Sequence, residues 1–238
     1  MTNNRVSALL LGVCLVAAAA VLGYQLSDAA IRFKQFERSV TVKGLAEREY
    51  PADVVIWPIQ YTVASNDLEQ LYAELDRQAE SIHAFLLLGG IEPEEISNSA
   101  PSITDKSAQQ YGNGSSAQFR YTAQRTVTVY SSDIERVRAA MAGLSQLGRQ
   151  GIVLSGNEYQ SRPEYLFTRL NEIKPEMIEE ATRNAREVAQ KFATDSDSRL
   201  GKIRKASQGQ FSISDRDANN PHIKKIRVVS TVEYYLSD

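Results

Sequence analysis

The sequence predicts an α+β fold, in which a mostly antiparallel sheet of about seven strands packs against three helices in the order ββα-ββα-β-α-ββ. Two observations predict it. Apolar residues recur at alternate positions in several short segments, as in half-buried strands, and at helical spacing in three longer segments. A third observation is an uncharged apolar segment near the amino terminus, which predicts one transmembrane helix before the sheet.

Length and composition are those of an ordinary globular protein. The chain has 238 residues, of which 42% are hydrophobic and 24% are charged, and its formal net charge is −2. Binding to phosphate backbones needs a basic excess on one face, so this balance argues against nucleic acid as a partner. The single cysteine, Cys14, lies in the apolar N-terminal segment. The rest of the chain therefore has no thiol for a disulfide, a nucleophile or a zinc site.

The N-terminal segment has the composition of a membrane anchor, because residues 6–27 contain no charge. At about 1.5 Å per residue, a helix over residues 6–24 spans roughly 28 Å, close to the hydrocarbon thickness. A cleaved signal peptide is the alternative. Cleavage needs small residues after the apolar run, however, and Leu22 and Tyr24 are large. We therefore favour an uncleaved signal anchor at 6–24, preceded by a short cytoplasmic tail of residues 1–5.

This anchor places the remainder of the chain outside the cytoplasm. Residues 25–38 are then a short stalk, and residues 39–238 form an α+β ectodomain. Basic residues of the stalk such as Arg32 and Lys34 weaken the positive-inside signal, but long domains translocate largely regardless of such charges. We expect a single-pass protein of the bacterial inner membrane with its folded domain in the periplasm. If the segment is cleaved, the same domain is soluble in the periplasm.

The first two strands and the first helix have the clearest patterns. Residues 39–43 alternate between polar and apolar, and the odd positions of 55–63 are apolar. Pro58 cannot donate a ladder hydrogen bond, so the second strand is predicted at a sheet edge or at a bulge. The helix is predicted to begin at a capping box that opens with Asn66, and to end at Gly89.

The middle of the chain repeats this arrangement. Strands are predicted at about 96–104 and 119–129, joined by the polar, glycine-rich loop 106–117. Arg125 falls on the apolar face of the second strand, where a charged side chain is not expected. A helix capped by Ser132 follows and ends near Gly148.

The last part of the chain is predicted as a strand, a helix and two strands. The first strand begins near Gly151 and bends at Pro163. Pro175 is placed in the first turn of the helix, whose apolar stripe contains Ile178, Ala181, Ala185, Val188 and Phe192. The closing strands cover about 200–213 and 223–236.

Several strings, in this order, resemble the SIMPL-domain family. Residues 40–47 resemble its opening "TVxGxGxxxxxPD", and Pro51-Ala52-Asp53 stands where the family has Pro-Asp. Residues 89–96 resemble its "AGIxPxDI" turn. Residues 180–186 and 200–203 resemble its late "AxxxARxxA…LGxx" segment.

Two departures from the family pattern stand out. Leu45 replaces the second glycine of the opening, so the backbone there is expected to differ. The segment from Arg162 to Lys174 is longer than its counterpart in the family.

The resemblance implies an exported α+β domain of the bacterial envelope. Some relatives are immunogenic periplasmic or outer-membrane proteins that assemble into rings, and others are linked to oxidative-stress tolerance. Together with the predicted anchor, the resemblance implies a membrane-anchored homo-oligomer that contributes to envelope or oxidative-stress tolerance. A monomeric binding module for an envelope protein or ligand is the alternative, with loop 106–117 as its candidate surface. No small-molecule ligand is indicated.

We predict no enzyme activity, no cofactor, and no catalytic, cofactor-binding or metal-ligating residues. The family has no agreed catalytic residues to transfer. The only two histidines, His83 and His222, fit ordinary boundary positions. Residues 215–220 alternate acidic and amide groups as a calcium loop does, but Asn220 occupies the position that needs glycine. Gly112-Asn113-Gly114 lacks the Lys-Ser/Thr of a phosphate loop.

A basic cluster lies on the two closing strands. Its members are Lys202, Arg204, Lys205, Lys224, Lys225 and Arg227. Charges on strand edges usually prevent edge-to-edge pairing. Contact with anionic lipid is the alternative interpretation.

Overall fold

The computed structural model describes residues 3–35, 38–108, 118–155 and 161–237. Helix α1 runs from Asn3 to Gln35, so the predicted anchor and most of the predicted stalk are one helix. Within the described ranges, no helix combines the length and the apolar character needed to cross a membrane.

The prediction of an α+β fold with antiparallel strands is confirmed, but the number of elements was underestimated. Ten strands are described: β1 Ser39–Pro51, β2 Val54–Ser65, β3 Ile96–Asn98, β4 Ser102–Asp105, β5 Tyr121–Ser131, β6 Val153–Leu154, β7 Glu164–Leu166, β8 Arg199–Gln208, β9 Ser212–Asp215 and β10 Ile223–Ser237. The helices after α1 are α2 Leu68–Leu88, α3 Ile134–Ala142, α4 Ser145–Arg149 and α5 Leu170–Asp195. Three predicted strands are each divided into two, as β3 and β4, β6 and β7, and β8 and β9.

The strands form two sheets rather than the single sheet predicted. Sheet A has the order β1-β10-β8, with β9 also paired to β10. Sheet B has the order β3-β5-β2-β6, with β4 on β5 and β7 on β2. The chain divides into two compact units. Unit 1 contains Met1–Glu47, Ile173–Ser212 and Arg227–Asp238, and unit 2 contains Arg48–Glu172 and Ile213–Ile226.

Unit 2 is built on the long pair β2–β5, which runs in register from Val55↔Ser131 to Ser65↔Tyr121. The apolar face of α2 packs on this pair. Its fully buried side chains are Leu71, Leu75, Ile82 and Leu86. The prediction that Pro58 marks an edge or a bulge was wrong. The strand β2 is central. On its second side it pairs with β7 before Pro58 and with β6 after it, so the proline interrupts neither of these ladders.

Both predicted helix caps are shifted by one residue. The N-cap of α2 is Asp67, whose carboxylate accepts from Gln70 N at 2.9 Å, instead of Asn66. The amide of Asn66 instead accepts from Arg120 N. The N-cap of α3 is Asp133 rather than Ser132. A sequence with two capping residues side by side does not distinguish between them.

Unit 1 contains a small core between α5 and its strands. Its buried members are Val42, Ala185, Ala189, Val232 and Tyr234. The predicted stripe on α5 was partly wrong, because Val188 and Phe192 are 38% and 56% exposed. The buried stripe is almost all alanine: Met177, Ala181, Ala185, Ala189 and Ala193. Pro175 lies beyond the first turn, because α5 begins at Leu170.

Candidate interaction surface

Strand β8 is the long open edge of sheet A. It pairs with β10 and with no other described strand, and Gly201 to Gln208 are all exposed. The outer strands of sheet B contain only two to four residues each. Short edge strands limit unwanted pairing, whereas a long exposed edge is a template for another strand.

The register shows which backbone groups of β8 are free. Gly209 N donates to Val229 O at 2.8 Å, and the same register pairs Thr231 with Ser207. Bonded and non-bonded pairs alternate along an antiparallel ladder. The N–H and C=O groups of Ala206 and Gln208 therefore point away from β10. No described residue bonds to these groups.

Strand β8 is also strongly basic. It carries four cations and no acid: Arg199, Lys202, Arg204 and Lys205. The Arg204 guanidinium bonds to Glu233 Oε1 at 2.8 Å. A hydrogen bond from Ser39, with help from Arg204, lowers the pKa of the Glu233 carboxyl. Lys202 and Lys205 form no close ion pair with any described residue, although the charge of Lys205, opposite Glu233 in the ladder, also lowers the pKa of that carboxyl.

The pairing of β8 with β10 is interrupted by two register shifts, between Glu233 and Tyr234 and between Tyr234 and Leu236. At the first shift, Arg204 is the extra residue between the partners of Glu233 and Tyr234, namely Lys205 and Ile203. Such bulges increase the local twist of an edge strand. The straightest part of the edge is therefore the segment that contains Ala206 and Gln208.

The opposite edge of sheet A, strand β1, is occupied at one position by a side chain of α5. Leu236 N donates to Arg38 O at 2.9 Å, so even-numbered residues of β1 direct their backbone groups at β10 and odd-numbered residues direct theirs outward. One outward group, Leu45 O, accepts from Asn184 Nδ2 of α5 at 2.8 Å. The side chain of Asn184 thus occupies a position that an added strand would need.

The predicted basic cluster is only partly exposed. Lys202, Arg204 and Lys205 are on the open edge, but Lys224 is 8% exposed and its ammonium pairs with Asp215. Burial of a charged side chain requires such a partner.

The predicted candidate loop 106–117 is described only at its base. Lys106–Ala108 forms a short 3-10 turn, and residues 109–117 lie outside the described residues. At the base, Arg120 Nη2 bonds to Asp105 Oδ2 at 2.9 Å. This hydrogen bond holds the pKa of the Asp105 carboxyl well below its usual range.

The two histidines lie in different surroundings. His83 Nε2 is 3.0 Å from Asn98 Oδ1, and the His222 ring meets the Tyr165 ring edge-on with centroids 6.0 Å apart. Burial lowers the pKa of the His222 imidazole. Among the residues that the structure describes, no three His, Cys, Asp or Glu side chains are grouped as metal ligands.

Residues 215–220, which resemble a calcium loop, contain a turn held by hydrogen bonds within the segment. The Asp217 carboxylate accepts from the backbone N–H of Asn219 and of Asn220, each at 2.9 Å. A hydrogen bond from Arg216, with others from Asn220, lowers the pKa of Asp217 to about 2.

Two shallow clefts occur in unit 2. One of about 560 Å³ is lined in part by Asp133, Arg136 and His222, and Asp133 and Arg136 form an ion pair at 2.7 Å. The other, of about 440 Å³, includes Arg125 and Asp76. In each cleft, one arginine and one aspartate are thus already paired with each other.

Arg125, unexplained by the sequence pattern, has a structural role. Its side chain is 19% exposed, and its guanidinium donates to Asp76 Oδ1 at 2.9 Å and to Ser99 O at 3.2 Å. The arginine stem therefore occupies an apolar strand face while its charge is satisfied by α2 and by the chain between β3 and β4.

Asp53, in the Pro-Ala-Asp segment, joins two parts of unit 2. Its carboxylate accepts from Thr168 N at 2.9 Å, from Thr168 Oγ1 at 3.1 Å and from Arg169 N at 3.2 Å. Burial alone would raise the pKa of Asp53, but these bonds together outweigh it and lower the pKa. The contact is structural and fixes the chain immediately before α5.

Comparison with known protein families gives one match. The model of SIMPL, described as "Protein of unknown function (DUF541)", matches residues 40–233. No curated protein matches the chain. The match extends from β1 to β10 and confirms the resemblance seen in the sequence strings.

Proposed function

We propose that this chain, which belongs to the SIMPL family, is a membrane-anchored envelope protein whose folded part is a non-catalytic interaction module. The observation that carries this proposal is the open edge of β8, where exposed backbone groups and cations occur together. Exposed strand edges bind other chains through main-chain hydrogen bonds. In each of the two clefts, in contrast, an arginine and an aspartate are paired with each other.

Self-assembly into an oligomer is the mode that the family resemblance favours. Pairing of β8 with a second β8 is opposed by charge, because each strand carries four cations. We therefore place the contact between copies elsewhere, at the exposed side chains of Val188 and Phe192. They lie four residues apart on one face of α5. Such exposed apolar pairs are common at protein–protein contacts.

The mass of the full chain in a nonionic detergent, measured by light scattering after size-exclusion chromatography, tests self-assembly. A discrete multimer is expected, and the double variant V188S/F192S should shift it toward the monomer. The matched control is the neighbouring surface variant E187S, which should leave the mass unchanged. A strictly monomeric chain at high concentration would overturn self-assembly.

Anchoring in the inner membrane, with the folded part in the periplasm, is supported by the uncharged segment 6–24. Large apolar side chains of α1 such as Val16 and Tyr24 are exposed, which leaves them free for lipid contact. Alkaline extraction of membranes, with protease added from the periplasmic side, tests this. An anchored protein stays in the pellet, with residues 39–238 open to the protease.

A contribution to envelope or oxidative-stress tolerance is the physiological role that the resemblance suggests. Survival of a deletion strain under peroxide and under detergent stress measures it. Restoration by the wild-type chain, compared with V188S/F192S, shows whether the role depends on assembly.

A monomeric binding module for another envelope protein is the second candidate function. The absence of acidic residues from β8 favours it, because a basic edge repels its own copy and attracts a different chain.

A further inference from the structure

The free backbone groups and the unpaired cations of β8 lie on the same edge. We propose that β8 binds an extended acidic segment of another protein, which adds to sheet A as a further strand beside Ala206 and Gln208. The inference requires that the folded part be an interaction module, but it is independent of self-assembly, because the partner is not a second copy.

The free backbone groups of β8 indicate that its partner is an extended strand. The N–H and C=O groups of Ala206 and Gln208 point outward, and no described residue bonds to them. Another strand satisfies all four groups at once, with the spacing of a ladder. A flexible polyanion without backbone N–H groups would satisfy only the donors.

The side chains of β8 indicate that the partner segment is acidic. Lys202 and Lys205 have no ion pair among the described residues, and β8 contains no acid. A lysine on a strand edge opposes pairing with a neutral or basic strand, because the partner offers no opposite charge to its ammonium group. The same charge favours a strand that carries carboxylates at facing positions. The edge thus excludes copies of itself and selects for acidic partners.

The other described edges differ from β8. The outward carbonyl of Leu45 on β1 is occupied by Asn184. The outer strands of sheet B are two to four residues long, too short for a stable ladder. Among the described edges, β8 therefore combines useful length with free backbone groups and an excess of cations.

The experiment measures binding of a labelled eight-residue peptide of alternating Glu and Val to the full chain in nonionic detergent, by fluorescence anisotropy. A peptide of alternating Lys and Val is the control for charge, and inorganic polyphosphate is the control for simple anion binding. We expect the Glu–Val peptide to bind, more weakly as salt increases, and the Lys–Val peptide not to bind.

Two variants separate charge from strand addition. The charge reversal K202E/K205E should weaken binding by about tenfold or more. Ala206→Pro removes an outward N–H that makes no bond within the chain, so it should abolish binding and leave the melting temperature near that of wild type. Ala206→Ser keeps the N–H and is the matched control.

Each alternative result has a definite meaning. Equal binding of both peptides, no binding of either, or normal binding to A206P in a folded chain overturns strand addition. If polyphosphate displaces the Glu–Val peptide and A206P binds the peptide as wild type does, the site binds anions without adding a strand. A monomer that binds the peptide leaves this inference standing and removes self-assembly, and an oligomer that does not bind the peptide removes this inference alone.

Discussion

Gly44 of β1 lies against Ala181 of α5 so closely that a side chain at position 44 has no room. A Cβ atom built on Gly44 would be 1.8 Å from Ala181 O and 2.4 Å from Ala185 N. Both neighbours are backbone atoms, which cannot rotate away. The glycine and the alanine stripe of α5 therefore belong to one packing arrangement, in which a helix approaches a strand more closely than larger side chains allow.

We predict that Gly44→Ala destabilises the protein by about 3 kcal/mol, since overpacking against backbone forces the helix to move. Chemical denaturation followed by circular dichroism measures the change. The matched control is Leu45→Ala on the exposed side of the same strand, with an expected effect within about 0.5 kcal/mol. Equal effects of the two variants would show that the close approach at Gly44 is not rigid.

Asp53→Ala should cost about 1 kcal/mol of stability at neutral pH, because Thr168 N and Arg169 N lose a partly buried acceptor. The folded pKa of Asp53 is below its unfolded value. Its contribution is thus fully present above the unfolded pKa and is lost as pH falls through the folded pKa. The stability difference between wild type and D53A should therefore shrink on acidification. Urea midpoints at pH 7 and pH 3 test this, and a constant difference would contradict it.

The long amphipathic elements could be predicted from the sequence, and their subdivision could not. The strand β2 and the helix α2 have uninterrupted patterns over more than ten residues, so periodicity located both. The predicted strand 96–104 is instead divided, because β3 and β4 pair with separate parts of β5. Pairing partners of that kind are tertiary information, absent from any local pattern.

The buried face of α5 could also be predicted only in part from the sequence. Hydrophobicity alone places Val188 and Phe192 in the core, yet both are exposed, and the face of α5 that meets Gly44 is formed by Ala181 and Ala185. For the candidate surface, the sequence located the cations Lys202 and Lys205. Which backbone groups of β8 are free depends on its register with β10, and that becomes visible only in the structure.

Arg125 and Asp76 form an ion pair whose two partners should contribute unequally. The Asp76 side chain is 69% exposed, so water can replace it, whereas Arg125 is 19% exposed and also bonds to Ser99 O. We predict that Asp76→Ala costs less than about 0.5 kcal/mol. Arg125→Ala should cost about 2 kcal/mol through lost packing and an unpaired carbonyl. Thermal melts of both variants measure this, and comparable losses would contradict the asymmetry.

Asp197→Gly should stabilise unit 1. Asp197, two residues beyond the end of α5, has a φ of 52°, in the left-handed region that disfavours a side chain. The turn is held by Ser198 N, which donates to Ala193 O at 2.8 Å, so the backbone keeps this conformation whichever residue is present. Glycine removes this steric cost but makes the unfolded chain more flexible. We expect the free energy of unfolding to increase by about 0.5 kcal/mol in total.

The comparison variant for this position is Asp197→Ala, which keeps the Cβ atom and removes the carboxylate. If the left-handed conformation sets the stability, D197A should be no more stable than wild type while D197G melts higher, because only glycine relieves the contact of Cβ with the backbone. Equal gains from both variants would instead assign the effect to the removal of a negative charge at the carboxyl end of α5, where the helix dipole disfavours it. Differential scanning calorimetry of the three proteins at two salt concentrations separates these causes, since only the charge effect is screened by salt.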